Sequence, residues 1–190
     1  MRCPARLSIA LLLCLICAAL CRAQEIKCGL TSAQSPELRG LRLGMTSEQV
    51  RARFKVLETE PADEFGVARL RLQPAADYLA AEAVNDIAVE LIGERVVSIR
   101  LVYRPFALWK HQREFSDWLS GTLKLPRAWK PLMVGSIVTG MEMECAGFKL
   151  SAALIGVKIP VVYLSFLDAA PTLSRRQAER ERRLREFFKP

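Results

Sequence analysis

Two cysteines carry the chemistry this sequence declares most openly. The chain has six cysteines in 190 residues, and Cys3, Cys14, Cys17 and Cys21 all lie within the first 23. There Arg2 and Arg6 precede an apolar run from Leu7 to Leu20, and Cys21 and Ala23 place small residues three and one before a cleavage point, the pattern of a secretory signal peptide. As a helix the run would rise only about 21 Å, short of the roughly 30 Å hydrocarbon core, so cleavage near Ala23 is favoured over anchoring. Leu20 before Cys21 lacks the small residue that a lipidated cysteine requires. Removing the signal leaves Cys28 and Cys145, and two cysteines in an oxidising compartment pair. Their bond closes a loop of 117 residues, worth roughly 4 to 5 kcal/mol by the loop-entropy model before any strain.

Other chemistry is harder to assemble. Metal binding by the two thiols lacks a CxxC spacing, and the single histidine, His111, lies in a separate segment of helical pattern, KHQREF, that reads as surface. GxSxG, HExxH and phosphate-loop patterns are missing from the sequence. Glu142 and Glu144 sit two apart on a strand and share a face, which would suit acid and base work but is more often the wet side of an edge strand. The sequence therefore points to an exported non-enzymatic domain without metal or cofactor, with a carboxylate-dependent hydrolase as the alternative.

Charge narrows the partner. Of the formal +8, the segment from Leu173 to Pro190 contributes +4, from seven basic residues against Glu179, Glu181 and Glu186. With the signal's arginines gone, the globular part is almost neutral, so the basicity is local and argues poorly for nucleic acid. The expected partner is an envelope or extracellular protein. Trp109 and Trp129, flanking a helix near Pro105, Pro126 and Pro131, read as surface anchors, whereas Phe115 and Trp118 read as core. The tail's alternating Arg and Glu read first as a solvated helix. Leu184, Phe187 and Phe188, at i, i+3 and i+4, form an apolar end able to dock on a partner or fold back, and membrane adsorption ranks third.

The elements that must position these residues follow from local pattern. In Leu41 to Phe54, Thr46 and Gln49 form a capping box and Met45 staples onto Val50, starting a helix at Ser47. Phe65 to Leu72 alternates as a half-buried strand, with Ala68, Leu70 and Leu72 opposite Arg69 and Arg71. A short helix is expected over Pro74 to Ala83. Asp86 to Ile92 and Arg95 to Tyr103 make a hairpin across Gly93 and Glu94. A helix over about Leu108 to Leu123 presents Phe115, Trp118, Leu119 and Thr122 on one face. Two β-rich runs follow, Met141 to Leu154 and Pro160 to Leu167, with Gly147 marking a bend or bulge in the first. Ser174 is the candidate cap of the last helix. These elements predict an α+β two-layer sandwich, a mainly antiparallel sheet with helices on one face plus a charged C-terminal helix. The divisions are a signal at 1–23, one domain at 24–171 and a basic helix or tail at 172–190. No convincing internal repeat is visible, although helix followed by strands occurs twice.

At LGMTSEQV, Leu43 to Val50, the chain resembles the small outer-membrane-assembly lipoproteins of the SmpA/OmlA (BamE) type and the β-lactamase-inhibitor-like domains. The resemblance covers about a dozen positions. It implies an extracytoplasmic α+β domain whose sheet face or loops contact another protein. The chain departs from that pattern in having no usable lipobox and in running into RFKVLE after the helix.

Overall fold

The computed structural model describes residues 27–74, 84–104, 109–156 and 159–188. The signal peptide at 1–23, all but the first residue of the short helix expected at Pro74 to Ala83, and Phe106 lie outside them.

Thr46 accepts from the amide of Gln49 at 3.2 Å while the Gln49 side chain accepts from the Thr46 amide at 2.9 Å. Helix α1, Ser47–Arg53, starts at this box as the pattern requires. Four strands follow: β1 Val56–Glu60, β2 Val67–Leu72, β3 Val84–Ile92 and β4 Arg95–Tyr103. Gly93 and Glu94, between β3 and β4, both have positive φ, as a two-residue type I′ turn demands. Helix α2, Gln112–Leu123, ends at Lys124 in the left-handed region. Four more strands come next, β5 Lys130–Val134, β6 Ile137–Glu144, β7 Phe148–Ile155 and β8 Ile159–Phe166, and helix α3, Ala170–Phe187, closes the chain.

The eight strands form one sheet in the order β1-β2-β3-β4-β8-β7-β6-β5, with antiparallel neighbours throughout. Each half is therefore a helix followed by a four-stranded meander, and the halves join where β4 pairs with β8, Ile99 opposite Leu164 and Leu101 opposite Val162. The twofold occurrence of helix then strands is thus a repeat of architecture.

Alternation sorts the sheet into two faces. The first carries Leu70, Leu72, Ile87, Val89, Ile99, Leu101, Met143, Leu150, Val162 and Leu164, all buried in one cluster with Val50 of α1 and Phe115 and Leu119 of α2. Eight strands at about 4.8 Å spacing are about 34 Å wide, whereas the seven residues of α1 rise only about 10 Å. The lead-in to α1 makes up the cover, because Leu38, Leu41, Leu43 and Met45 are buried on the same face.

The second face is polar and is crossed by α3, which packs Leu173 against Val67 and Val97. The architecture is α+β as expected. It is, however, an open sheet with helices on both faces, in place of a two-layer sandwich with helices on one.

Four details of the sequence reading need correction. Met141 to Leu154 is two strands reversed at Cys145 to Gly147, where Gly147 has φ of 104°, so this glycine makes the turn and no bulge. The apolar residues around that turn hid it. The edge strands β1 (VLETE) and β5 (KPLMV) lack alternation because an edge strand has little to bury; Pro131 removes one edge donor. Finally, α3 begins at Ala170 with Pro171 in its first turn, upstream of the Ser174 expected to cap it.

Cys28 and Cys145 form the expected disulfide, with Cα atoms 4.7 Å apart. Beside it the Ala146 amide donates to the Leu30 carbonyl at 2.9 Å. The N-terminal arm is thus latched to the β6–β7 turn of the second half. In exchange α3, which follows the second half, lies on strands of the first.

Candidate functional site

The site is built by α3 and the sheet face beneath it. Strand pairing lays two rows of side chains across that face. One runs Glu60, Arg69, Glu90, Ser98, Ser165, Lys149 and the other Glu58, Arg71, Ala88, Arg100, Tyr163, Ser151. Arg69 and Arg71, read from sequence as the solvent side of a half-buried strand, are in fact members of an ion-pair network. Arg69 meets Glu60 at 3.3 Å, and Asp86 is held between Arg71 at 2.6 Å and Arg100 at 2.9 Å. Burial pushes the Asp86 carboxyl up, but the hydrogen bonds and charges of Arg71 and Arg100 outweigh it and leave the pKa below the usual aspartate value.

The anchor of α3 is Arg176, whose side chain is 5% exposed. Its guanidinium binds Asp63, reaches Glu90 at 2.6 Å and lies 3.6 Å from Glu60. A cation this buried is retained only when carboxylates surround it. For Asp63, burial raises the pKa, while the Arg176 hydrogen bond and the Val67 and Phe65 amides more than offset it, so the group ionises below its usual range. Arg180 meets Glu60 at 2.7 Å, and Arg183 meets Glu64 at 2.6 Å. The helix is thus fastened to β3, to β1 and to the β1–β2 connection. Within the helix Arg182 and Arg183 hydrogen-bond Glu179, whose pKa falls to about 2.

Between α3 and the two rows lies a groove of about 610 Å³. Tyr163 lines it, donating to Glu90 at 3.1 Å. Burial first, then the Glu90 charge, pushes its pKa up to about 12.

The residues singled out from sequence fall in different places. Trp109 is only 6% exposed and belongs to an aromatic cluster with Tyr103, Phe115 and Trp118, its ring 4.7 Å from Phe115 and 4.9 Å from Trp118. It is core, which corrects its reading as a surface anchor. Trp129 packs partly buried against that core and donates its indole N–H to Ser120 at 2.6 Å. His111 is exposed at the start of α2. Glu142 bonds Lys149 at 2.6 Å and Glu144 is exposed, so the one is neutralised by a cation and the other solvated. Leu184, Phe187 and Phe188 are 58%, 82% and 75% exposed at the far end of α3. The tail is neither wholly solvated nor folded back through these apolar residues, because its charged face does the docking.

Sequence reasoning missed three features: the Arg176 cluster, the groove, and an exposed apolar patch of Met133, Val134, Ile137 and Val138 around the β5–β6 turn. The signal for the groove was present in the alternation, as serines at the non-core positions of β4, β7 and β8.

Fold and site together define a disulfide-stapled α+β domain on an open eight-stranded antiparallel sheet. No protein-family model, no curated protein and no solved structure matches the chain. No described helix is long and apolar enough to cross a membrane.

Proposed function

We propose that the chain is exported on the signal at residues 1–23 and works outside the cytoplasm as a non-catalytic domain that binds an envelope protein through the end of α3. The observation that carries this is the stripe Leu184, Phe187 and Phe188, exposed on a helix that ion pairs hold in one orientation. Apolar residues at i, i+3 and i+4 on a helix already formed suit insertion into a partner's groove, and the prior anchoring removes much of the ordering cost of binding. Arg185, exposed and without an ion pair among the described residues, favours an acidic rim on that groove. The disulfide is compatible with an oxidising compartment.

Photocrosslinking from a benzophenone placed at Phe187 in cells tests the reading. A single crosslinked envelope protein is expected, lost in Leu184→Ser/Phe188→Ser, with a melting temperature unchanged because these side chains are exposed. Crosslinks of equal yield from the double variant, or crosslinks only to solvent-phase proteins at random, would overturn it.

A further inference from the structure

The tip of the β5–β6 hairpin exposes large apolar side chains on both of its faces. Met133 pairs with Val138 and Val134 with Ile137, and alternation turns the two pairs to opposite faces of the ribbon. All four are 45–68% exposed, and Ile155, at the end of β7, is 55% exposed. Gln112 of α2 fastens the two hairpins together at this end of the sheet. Its side-chain amide donates to the Thr139 and Leu154 carbonyls at 3.4 and 3.3 Å, and it accepts from the Leu154 amide at 2.7 Å. The apolar tip is thus held in place before anything covers it.

The construction of this tip argues against a protein as its cover. Lys130, Pro131 and the register shift between Leu132 and Met133 are devices by which an edge strand refuses another strand, so neither a second copy nor a peptide extends the sheet along β5. A protein face laid on one side of the ribbon would leave the other side wet. Five side chains also fall far short of the about 20–30 residues per partner in a stable interface. An apolar medium, by contrast, surrounds an inserted tip from all sides, because hydrophobic burial has no preferred direction.

Charge points the same way. The sequence has no Asp or Glu from Lys130 to Met141 or from Cys145 to Leu167, the two stretches that hold these apolar residues. Lys110 and Arg113, on either side of Gln112, and Lys130 at the start of β5 are exposed around the tip. Glu114, next to Arg113, accepts from the Lys110 amide at 2.7 Å. The two apolar pairs and the turn beyond them occupy about 10 Å of strand. That matches the depth of about 5–10 Å to which interfacial elements enter the boundary between headgroups and acyl chains.

We infer that the β5–β6 tip, with Ile155 beside it, is a docking site for an anionic phospholipid bilayer. Met133, Val134, Ile137, Val138 and Ile155 enter the headgroup–acyl boundary, and Lys110, Arg113 and Lys130 meet the lipid phosphates. Helix α3 leaves the sheet at the opposite end, after Phe166, which pairs with Phe148 at the start of β7. Its apolar stripe and the tip are therefore separate surfaces, and the inference does not depend on the protein-binding reading.

Vesicle flotation tests the inference, with liposomes of equal parts phosphatidylethanolamine and phosphatidylglycerol. The sample is the oxidised chain from Gln24 on, which contains every described residue. Flotation with the lipid is expected. Val134→Thr/Ile137→Thr keeps β-branched residues in the hairpin and should weaken binding about tenfold without lowering the melting temperature. An environment-sensitive fluorophore on Ser136→Cys should shift to the blue when vesicles are added, which keeps the test decisive if the threonine variant folds poorly. Absence of flotation, equal binding by the threonine variant, or an unshifted fluorophore would overturn the site. A dimer of the lipid-free protein that the threonine variant abolishes would overturn it too, by assigning the tip to a second copy.

Discussion

Replacing Arg176 by methionine keeps the aliphatic stem and removes the cation that three carboxylates share. Those carboxylates remain partly shielded, with Asp63, Glu90 and Glu60 side chains 25%, 19% and 36% exposed. Breaking a fully buried pair costs about 3–5 kcal/mol, and water at these carboxylates reduces that to about 2–3 kcal/mol. The loss falls mainly on the docking of α3, since Leu173 is the only side chain of the helix in the second-face apolar cluster. Hydrogen exchange should therefore report it locally: amides from Leu173 to Arg183 lose protection by about 30- to 150-fold, while those of β4 and β8 change little. Asp63→Asn placed on top of Arg176→Met should restore part of the loss by removing a charge left without its counter-ion. The reasoning is refuted if Arg176→Met leaves the protection of α3 within about twofold, or if the Asp63→Asn addition makes matters worse. Acid should act on the same contact. The Asp63 pKa is lowered in the folded state, so its contribution is present above the ordinary value of 3.8 and disappears as pH falls through the lower folded value.

The disulfide and Tyr163 give two further tests. Reduction with alkylation of Cys28 and Cys145 should destabilise the domain by about 2–5 kcal/mol, read by urea unfolding, and an unchanged midpoint would show that the latch adds nothing to stability. The Tyr163 phenol, with its pKa pushed up to about 12, holds its proton in the folded state over a range where an ordinary tyrosine near 10 has lost it. Stability should thus fall as pH rises from about 10 to about 12, and Tyr163→Phe should flatten that fall. Ultraviolet titration showing Tyr163 ionising near 10 would refute the burial argument.

Local signals were legible and long-range ones were not. The Thr46–Gln49 box and the Gly93–Glu94 turn each lie within a few residues, so the local pattern states them almost completely. The disulfide was legible for a different reason, that two cysteines allow one pairing. Arg176 looked like any arginine of a solvated helix, because its partners Asp63 and Glu90 are 113 and 86 residues away. Trp109 was misplaced for a related reason: its neighbours Tyr103 and Trp118 come from a strand and a helix whose packing no periodicity describes. The groove floor was visible as serines on the non-core side of strands. Only the position of α3 turns those serines from a wetted surface into a lined cavity.

The disulfide latch also decides how the molecule would bear tension. If the chain is pulled from its two ends, force entering at Cys28 passes through the sulfur bridge to Cys145, bypassing the backbone between them. Strands β1 to β6 and both helices α1 and α2 lie off that path. The load is carried by β7, β8 and α3. The ion pairs of Arg183, Arg180 and Arg176 would yield in turn from the free end, and then β8 would be drawn out from between β4 and β7. An oxidised molecule tethered at both ends would thus lengthen first by shedding α3, the roof of its groove, while its first half stayed folded.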